Sequence, residues 1–150
     1  MDALDQYLAR LQADIHDVLL DEIAEGAKDV MQNAVSDMVY DAYRPIVYSR
    51  RGNNGGLGDK NNMSVTSIQD GIALTNEAAV NTAYGVSRFA NGKSLAEIVC
   101  NGGNNYMYGD ESYSYYAPRD FITLTQNRLD DGIAEQIATA ALRKKGYRFE

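Results

Sequence analysis

Apolar residues recur every three or four positions over residues 1–42, the spacing expected for one face of an α-helix. The stripe consists of Leu4, Leu8, Leu11, Ile15, Leu19, Ile23, Ala27, Val30, Ala34 and Met38. Asp2 is placed to cap the helix, and Pro45 to end it, because a residue that precedes proline disfavours α geometry. A straight helix of this length would span roughly 60 Å, more than the width of a compact domain of this size. The pattern predicts either a break, best placed at Gly26, or a part that projects to meet a partner.

The hydrophobic period shortens over residues 43–92, which predicts strands and a hairpin. Residues 46–48 form a short β-prone run. Two alternating runs, 63–68 and 72–75, flank an Asp70-Gly71 pair, a strong local signal for a hairpin. Between residues 46–48 and the hairpin, the four glycines of residues 52–58 are incompatible with a regular element and predict a loop.

Residues 93–116 predict a short helix followed by a tyrosine-rich loop. Ser94 with Glu97 forms a capping-box pattern at the start of the helix. Residues 101–116 contain five tyrosines and three glycines, a mixture that binding surfaces favour because tyrosine supplies contact area at a small entropic cost. The alternative is a surface loop whose tyrosines pack back on the body. The candidate contact residues are Tyr106, Tyr108, Tyr113, Tyr115 and Tyr116.

A second helical stripe predicts a C-terminal helix over 117–146. It begins near Pro118, and Gly146 is placed to stop it, with basic residues in the last turn. The fold class is therefore α+β, a single domain over 1–150. A long N-terminal helix and a C-terminal helix pack on a small antiparallel β-sheet with long Gly/Asn/Tyr-rich loops.

Charge is distributed unevenly along the 150 residues, whose net charge is −7. Residues 1–41 hold ten acidic residues against two basic ones, a net charge of −8, whereas residues 142–150 carry +3. This balance argues against sequence-independent binding along a nucleic acid duplex. The sequence has no apolar run of roughly 20 residues and no basic, apolar leader, so we expect no membrane contact and a cytoplasmic location after synthesis.

The residues that carry enzyme chemistry do not form a recognisable site. Cys100 and His16 are the lone cysteine and histidine, and their surroundings predict an inert thiol and a solvated helix face. The glycine-rich loop lacks the Lys-Ser/Thr pair of a phosphate cradle, and Asp110-Glu111 lacks the alternating oxygens of a calcium loop. We therefore predict no catalytic residue, no cofactor and no metal ligand.

Several short motifs resemble the neck or tail-completion (head–tail joining) minor structural proteins of tailed bacteriophages. They follow an acidic amphipathic helix in this order: Tyr43-Arg-Pro-Ile-Val-Tyr48-Ser-Arg50-Arg, Gly56-Leu57, a polar hairpin, Tyr84-Gly85, Phe89-Ala-Asn-Gly92 and Ala117-Pro118-Arg119-Asp120-Phe121.

The resemblance implies a non-enzymatic virion structural protein that joins capsid or portal to tail, present in the host cytoplasm before assembly. Its expected partners are other phage structural proteins (portal or connector, tail tube or terminator) and further copies of itself in a ring. Nucleic acid would be met only by passage through the lumen. We expect Arg50 and Arg51 to meet an acidic helix face of the next subunit, with Leu57 beside them, and residues 50–62 and 101–116 to become ordered on assembly.

Two other classes of function stay open. A phage-encoded acidic inhibitor could occupy the basic groove of a host nuclease by presenting carboxylates in place of phosphates. A cytosolic enzyme with an unfamiliar site is the third class. Binding to a nuclease that weakens with salt would favour the inhibitor, and assembly into rings would favour the neck protein.

Overall fold

The backbone is helical without interruption from Ala3 to Tyr40. The computed structural model describes residues 2–42, 44, 49–69, 71–82, 85–87, 89–90, 92–102 and 117–149. Within it, α1 (Ala3–Val18) and α2 (Ala24–Val35) are each followed by one wider π-helical turn, Leu19–Ile23 and Ser36–Tyr40. Asp2 caps α1 as predicted, because its carboxylate accepts a hydrogen bond from the Asp5 N–H at 2.9 Å.

The predicted hairpin is confirmed. Strands β1 (Met63–Ile68) and β2 (Gly71–Asn76) pair antiparallel, with Ile68 opposite Gly71 at the turn. One turn of 3₁₀ helix, Lys60–Asn62, leads into β1 from the glycine-rich loop. The strand predicted over 46–48 lies outside the described residues.

Shorter strands and one helix follow the hairpin. Four strands form two antiparallel pairs, β3 (Val80–Thr82) with β4 (Gly85–Ser87) and β5 (Phe89–Ala90) with β6 (Lys93–Ser94). Helix α3 (Leu95–Asn101) begins at the predicted capping box, in which the Glu97 carboxylate accepts from the Ser94 N–H at 2.8 Å.

The C-terminal helical segment is bent, whereas the sequence predicted one regular helix over 117–146. Asp120 caps α4 (Phe121–Arg128), and α5 (Ala134–Lys144) ends shortly before Gly146. Between them Gly132 has a φ of 103°, a left-handed conformation that side chains other than glycine rarely adopt. The bend follows from this one residue.

The predicted break at Gly26 is wrong. Gly26 lies inside α2, where a Cβ would collide with Cδ1 of Ile137 on α5. The absence of a side chain at Gly26 therefore lets α2 and α5 approach each other closely, and the hydrogen bonds of α2 remain intact. Residues 2–10 are all exposed, a length of about 13 Å of helix, as expected for a part that projects; that this part meets a partner stays a prediction.

The core lies where α2 meets α4, the hairpin and the glycine-rich loop. Its buried side chains are Met31, Ala34, Val35, Val39, Leu57, Met63, Ala78, Ala96 and Phe121. Buried Asn76 donates from Nδ2 to the Leu57 carbonyl at 2.8 Å, which ties the loop to the end of β2. Two long terminal helices with a small antiparallel sheet confirm the α+β class. Within the described part of the chain, no helix has the length and apolar character to cross a membrane.

Candidate protein interaction surfaces

The glycine-rich loop, residues 51–59, folds around the side chain of Tyr40. The Tyr40 hydroxyl donates to the Gly52 carbonyl at 3.1 Å and accepts from the Gly58 N–H at 3.0 Å. Gln32, two turns earlier in the helix, donates to the Gly58 carbonyl at 2.6 Å. Burial raises the pKa of the Tyr40 hydroxyl, which therefore stays protonated and able to donate. One helix thus anchors both ends of the loop.

Contacts among its own residues and with Asn62 fix the conformation of the glycine-rich loop. At its centre, a Cβ on Gly56 would lie 2.5 Å from the Gly52 carbonyl oxygen, so no larger residue fits without moving backbone. The Asn62 amide donates to the Gly56 carbonyl at 2.9 Å, and the Gly55 N–H donates to the Asp59 carboxylate at 2.7 Å. The described contacts join residues 51–62 within a single chain, and the ordering of residues 50–62 on assembly stays a prediction; of the other segment expected to order, residues 103–116 lie outside the described residues.

The candidate contact residues of this loop point inward. The Arg50 guanidinium lies over the Tyr40 ring, 5.3 Å from its centroid, and donates to the Tyr40 carbonyl. Arg51 donates to the carbonyl of Ala79. Leu57 is 4% exposed and belongs to the core. Each of these three residues thus has a partner within the chain: Arg50 at Tyr40, Arg51 at Ala79 and Leu57 in the core.

The other five sequence candidates are not placed. Tyr106, Tyr108, Tyr113, Tyr115 and Tyr116 lie outside the described residues.

An exposed apolar stripe runs along α1. Leu4, Leu8, Leu11 and Ile15 follow one another at intervals of four, three and four residues, and we call them the α1 seam. Leu4 is 63% exposed, Leu8 46% and Ile15 40%. Alternating steps of three and four place apolar side chains in one line on a helix, the arrangement that pairs with another helix or an apolar groove.

The C-terminal tail is clamped to the side of α1. Asp14 accepts hydrogen bonds from the Tyr147 hydroxyl at 2.7 Å and from the Lys145 ammonium at 3.2 Å. Lys145 also lies 3.6 Å from the Asp17 carboxylate. The bonds from Tyr147 and Lys145 hold the pKa of Asp14 below its ordinary value.

Basic and aromatic side chains remain exposed at the end of this tail. Arg143, Lys144, Arg148 and Phe149 form what we call the tail patch, and all four are solvent-exposed. Phe149 is 45% exposed. Among the described residues, none forms an ion pair with the three cations of the patch.

Among the described residues, the groups suited to metal binding do not form a cluster. Burial raises the pKa of the Cys100 thiol to about 11, so it is protonated at neutral pH. Cys100 lies near Asp120 at the start of α4, and His16 is exposed on α1. In the portion of the chain described above, no three His, Cys, Asp or Glu side chains gather closely enough to hold a metal ion.

Comparison with known proteins places the chain among phage proteins. The family YomN matches residues 1–145. The chain belongs to the YomN family. A relative from Bacillus subtilis (strain 168), the SPbeta prophage-derived uncharacterized protein YomN, is 32% identical over 118 residues, which cover 75% of this chain and 68% of the relative. No solved structure matches the chain. The two matches indicate a phage-derived protein.

The matched family region, residues 1–145, includes the α1 seam and, of the tail patch, Arg143 and Lys144. The α1 stripe was found from the sequence, but not its exposure. The tail patch is not among the contact residues predicted from the sequence, which places basic residues in the last turn of the C-terminal helix and a charge of +3 over residues 142–150. The signal is present in residues 143–149, where two aromatic residues accompany four cations within seven positions.

Proposed function

We propose that this chain is a non-enzymatic virion protein that joins the capsid or portal to the tail of a phage. It acts through protein–protein contacts, as a ring of identical subunits. Its partners are the portal or connector and the tail tube or terminator, and DNA passes through the lumen of the ring. The protein resides in the host cytoplasm until assembly and then in the virion.

The projecting α1 seam carries this proposal. Three seam residues expose 40% or more of their surface, on a helix that extends beyond the body of the molecule. Leu and Ile in such a line are suited to burial against a partner, because each such side chain contributes about 1.5–3 kcal/mol when fully removed from water. The phage-derived family and the resemblance to neck proteins supply the setting in which a contact surface of this kind is used.

The nuclease-inhibitor alternative is less well supported by the placement of the acidic residues. An inhibitor that substitutes for phosphates presents carboxylates free for a basic groove. Here Asp14 and Asp17 pair with Lys145, and Asp37 pairs with Arg128 at 2.7 Å. Part of the acidic charge of the N-terminal helix is thus matched within the chain.

The proposal is tested by deleting the gene in the phage that encodes this chain and examining the lysate by electron microscopy. We expect DNA-filled capsids and complete tails that are not joined, and restoration of joined particles by the plasmid-borne wild-type gene. A Leu8→Lys variant should fail to restore them, whereas Ala13→Lys, which adds the same charge at another exposed position of α1, should succeed.

Two results would reject the proposal. Normal tailed particles from the deletion phage would show that joining does not need this chain. Unjoined particles that the wild-type gene cannot restore would show that the defect lies elsewhere. Salt-sensitive binding of the purified protein to a basic nuclease, together with normal particles, would support the inhibitor instead.

A further inference from the structure

The α1 seam and the tail patch lie on different sides of the same helix. Asp14 and Asp17, which hold the tail, project about 90° and about 150° around α1 from the centre of the seam. The tail therefore covers one flank of α1 and leaves the seam open. A molecule with two distinct exposed patches can bind a second copy head to tail, and such contacts close into rings when the rotation permits.

The two patches are complementary in chemistry. The exposed first turns of α1 combine apolar side chains with the carboxylates of Asp2 and Asp5. The tail patch combines exposed Phe149 with cations that have no ion pair among the described residues. Apolar surface thus meets apolar surface, and acid meets base, when the seam of one copy docks on the tail of another.

The chain already shows that its tail recognises an acidic helix face. Within one molecule, Tyr147 and Lys145 bind Asp14 by an aromatic hydroxyl and an ammonium group. The tail patch presents a similar mixture of aromatic and cationic groups outward. A second helix that is both acidic and apolar would make with the tail patch the same type of contact that Tyr147 and Lys145 make with α1.

We propose that a second copy of this chain docks its α1 seam on the tail patch, and that this contact links neighbouring subunits. The proposal rests on the proposed function for the closure of the ring, but the pairwise contact itself is independent of it. The charged rim makes association salt-dependent, and the apolar centre makes it sensitive to a charge at Leu8.

The contact is tested with two purified full-length variants that each lose one patch. Leu8→Lys places a cation in the seam, and Lys144→Glu with Arg148→Glu reverses the tail. Native mass spectrometry and light scattering at low salt, up to about 0.5 mM protein, report the stoichiometry. We expect wild type to oligomerise, each variant alone to be at least about tenfold weaker in association, and their mixture to give a one-to-one dimer. One intact seam and one intact tail remain in that pair.

The matched control is Ala13→Lys, which should oligomerise like wild type. Raising NaCl from about 50 to about 500 mM should weaken wild-type association roughly tenfold. Circular dichroism confirms that each variant retains its helix content.

Three results would overturn the proposal: a wild type that stays monomeric throughout, a tail variant that oligomerises like wild type, or mixed variants that do not pair. The second would indicate contact between two seams. Joined phage particles that need this chain, together with any of these results, would reject the docking contact and leave the proposed function standing. Mixed dimers, together with normal tailed particles from the deletion phage, would support the docking contact and reject the proposed function.

Discussion

The two halves of the N-terminal helix, α1 and α2, have the same spacing of apolar residues. They differ in whether the rest of the protein covers those residues. In α2, Ala27 and Ala34 are 1% and 0% exposed, packed beneath the rest of the fold. In α1, Leu4 and Leu8 lie in solvent. Residue size follows the same division, because the buried half uses many small side chains that permit close helix contact, whereas the exposed half presents leucine and isoleucine. Periodicity shows which face of a helix is apolar, and it does not show whether the chain itself covers that face.

The largest expected effect separates the halves by their contribution to stability. Met31→Ala in α2 should lower the free energy of unfolding by about 2–4 kcal/mol, since Met31 is 2% exposed and leaves a cavity. Leu8→Ala in α1 should change it by less than about 0.5 kcal/mol. Urea unfolding followed by circular dichroism measures both. Equal losses would show that α1 is packed within the monomer.

A second substitution tests the loop that covers the end of the buried half. Gly56→Ala should destabilise the fold by about 2 kcal/mol, because the new Cβ meets the backbone of Gly52 at 2.5 Å and cannot be relieved by a side-chain rotation. The same urea titration measures it.

Gly71→Ala is its control. Nothing lies within 4 Å of a Cβ at Gly71, so alanine there should be neutral or stabilising by up to about 1 kcal/mol. If Gly71→Ala were destabilising and Gly56→Ala were not, the hairpin turn and not the glycine-rich loop would be the sterically constrained one.

The elements that could be predicted from the sequence are those set by near neighbours. The cap at Asp2, the capping box of Ser94 and Glu97, and the hairpin at Gly71 each depend on residues only a few positions apart. Local hydrogen bonds and turn conformation decide them, so the sequence pattern is sufficient.

The errors concern residues whose role is decided by distant parts of the chain. Gly26 resembled a helix break, but its small size is needed because Ile137 packs against it. Leu57 resembled an exposed loop residue between glycines, but the core closes over it. Gly132 was assigned to a continuous helix, although its φ of 103° bends the segment. A single sequence does not carry the positions of such partners.

The helix caps provide a smaller and more local comparison. Asp120→Ala should cost about 1 kcal/mol in global stability, because Asp120 caps a helix that begins with fully buried Phe121. Asp2→Ala removes the same type of cap from the projecting end. It should fray the first turn, seen as faster amide exchange over the first residues of α1, and leave the urea midpoint unchanged.

If Asp2→Ala lowered the urea midpoint as much as Asp120→Ala, the first turns of α1 would be coupled to the core. That result would also remove the basis for treating the α1 seam as surface available to a partner.

The smallest expected effect concerns the point at which the C-terminal tail meets α1. The bond from the Tyr147 hydroxyl and then the bond from Lys145 lower the pKa of Asp14 below its ordinary value of 3.8. A carboxyl group with a lowered pKa in the folded state contributes stability above the ordinary value, and this contribution disappears as the pH falls through the lowered one. The tail should therefore remain bound to α1 at pH 4 and above, and loosen only below the ordinary pKa of Asp14. The carboxyl carbon shift of Asp14, followed by NMR, measures its titration.

Tyr147→Phe should move the Asp14 titration upward, toward 3.8, because the largest of the causes that lower the pKa of Asp14 is removed. Gln12→Ala is the control, since it removes an exposed polar side chain from α1 without touching either bond to Asp14. In that control the titration should be unchanged. If the Asp14 titration did not shift in Tyr147→Phe, Lys145 alone would hold the tail. The charge of residue 145 would then be the next property to vary. An upward shift in both variants would mean that the whole end of α1 rearranges, and the division between a packed half and a projecting half would have to be redrawn.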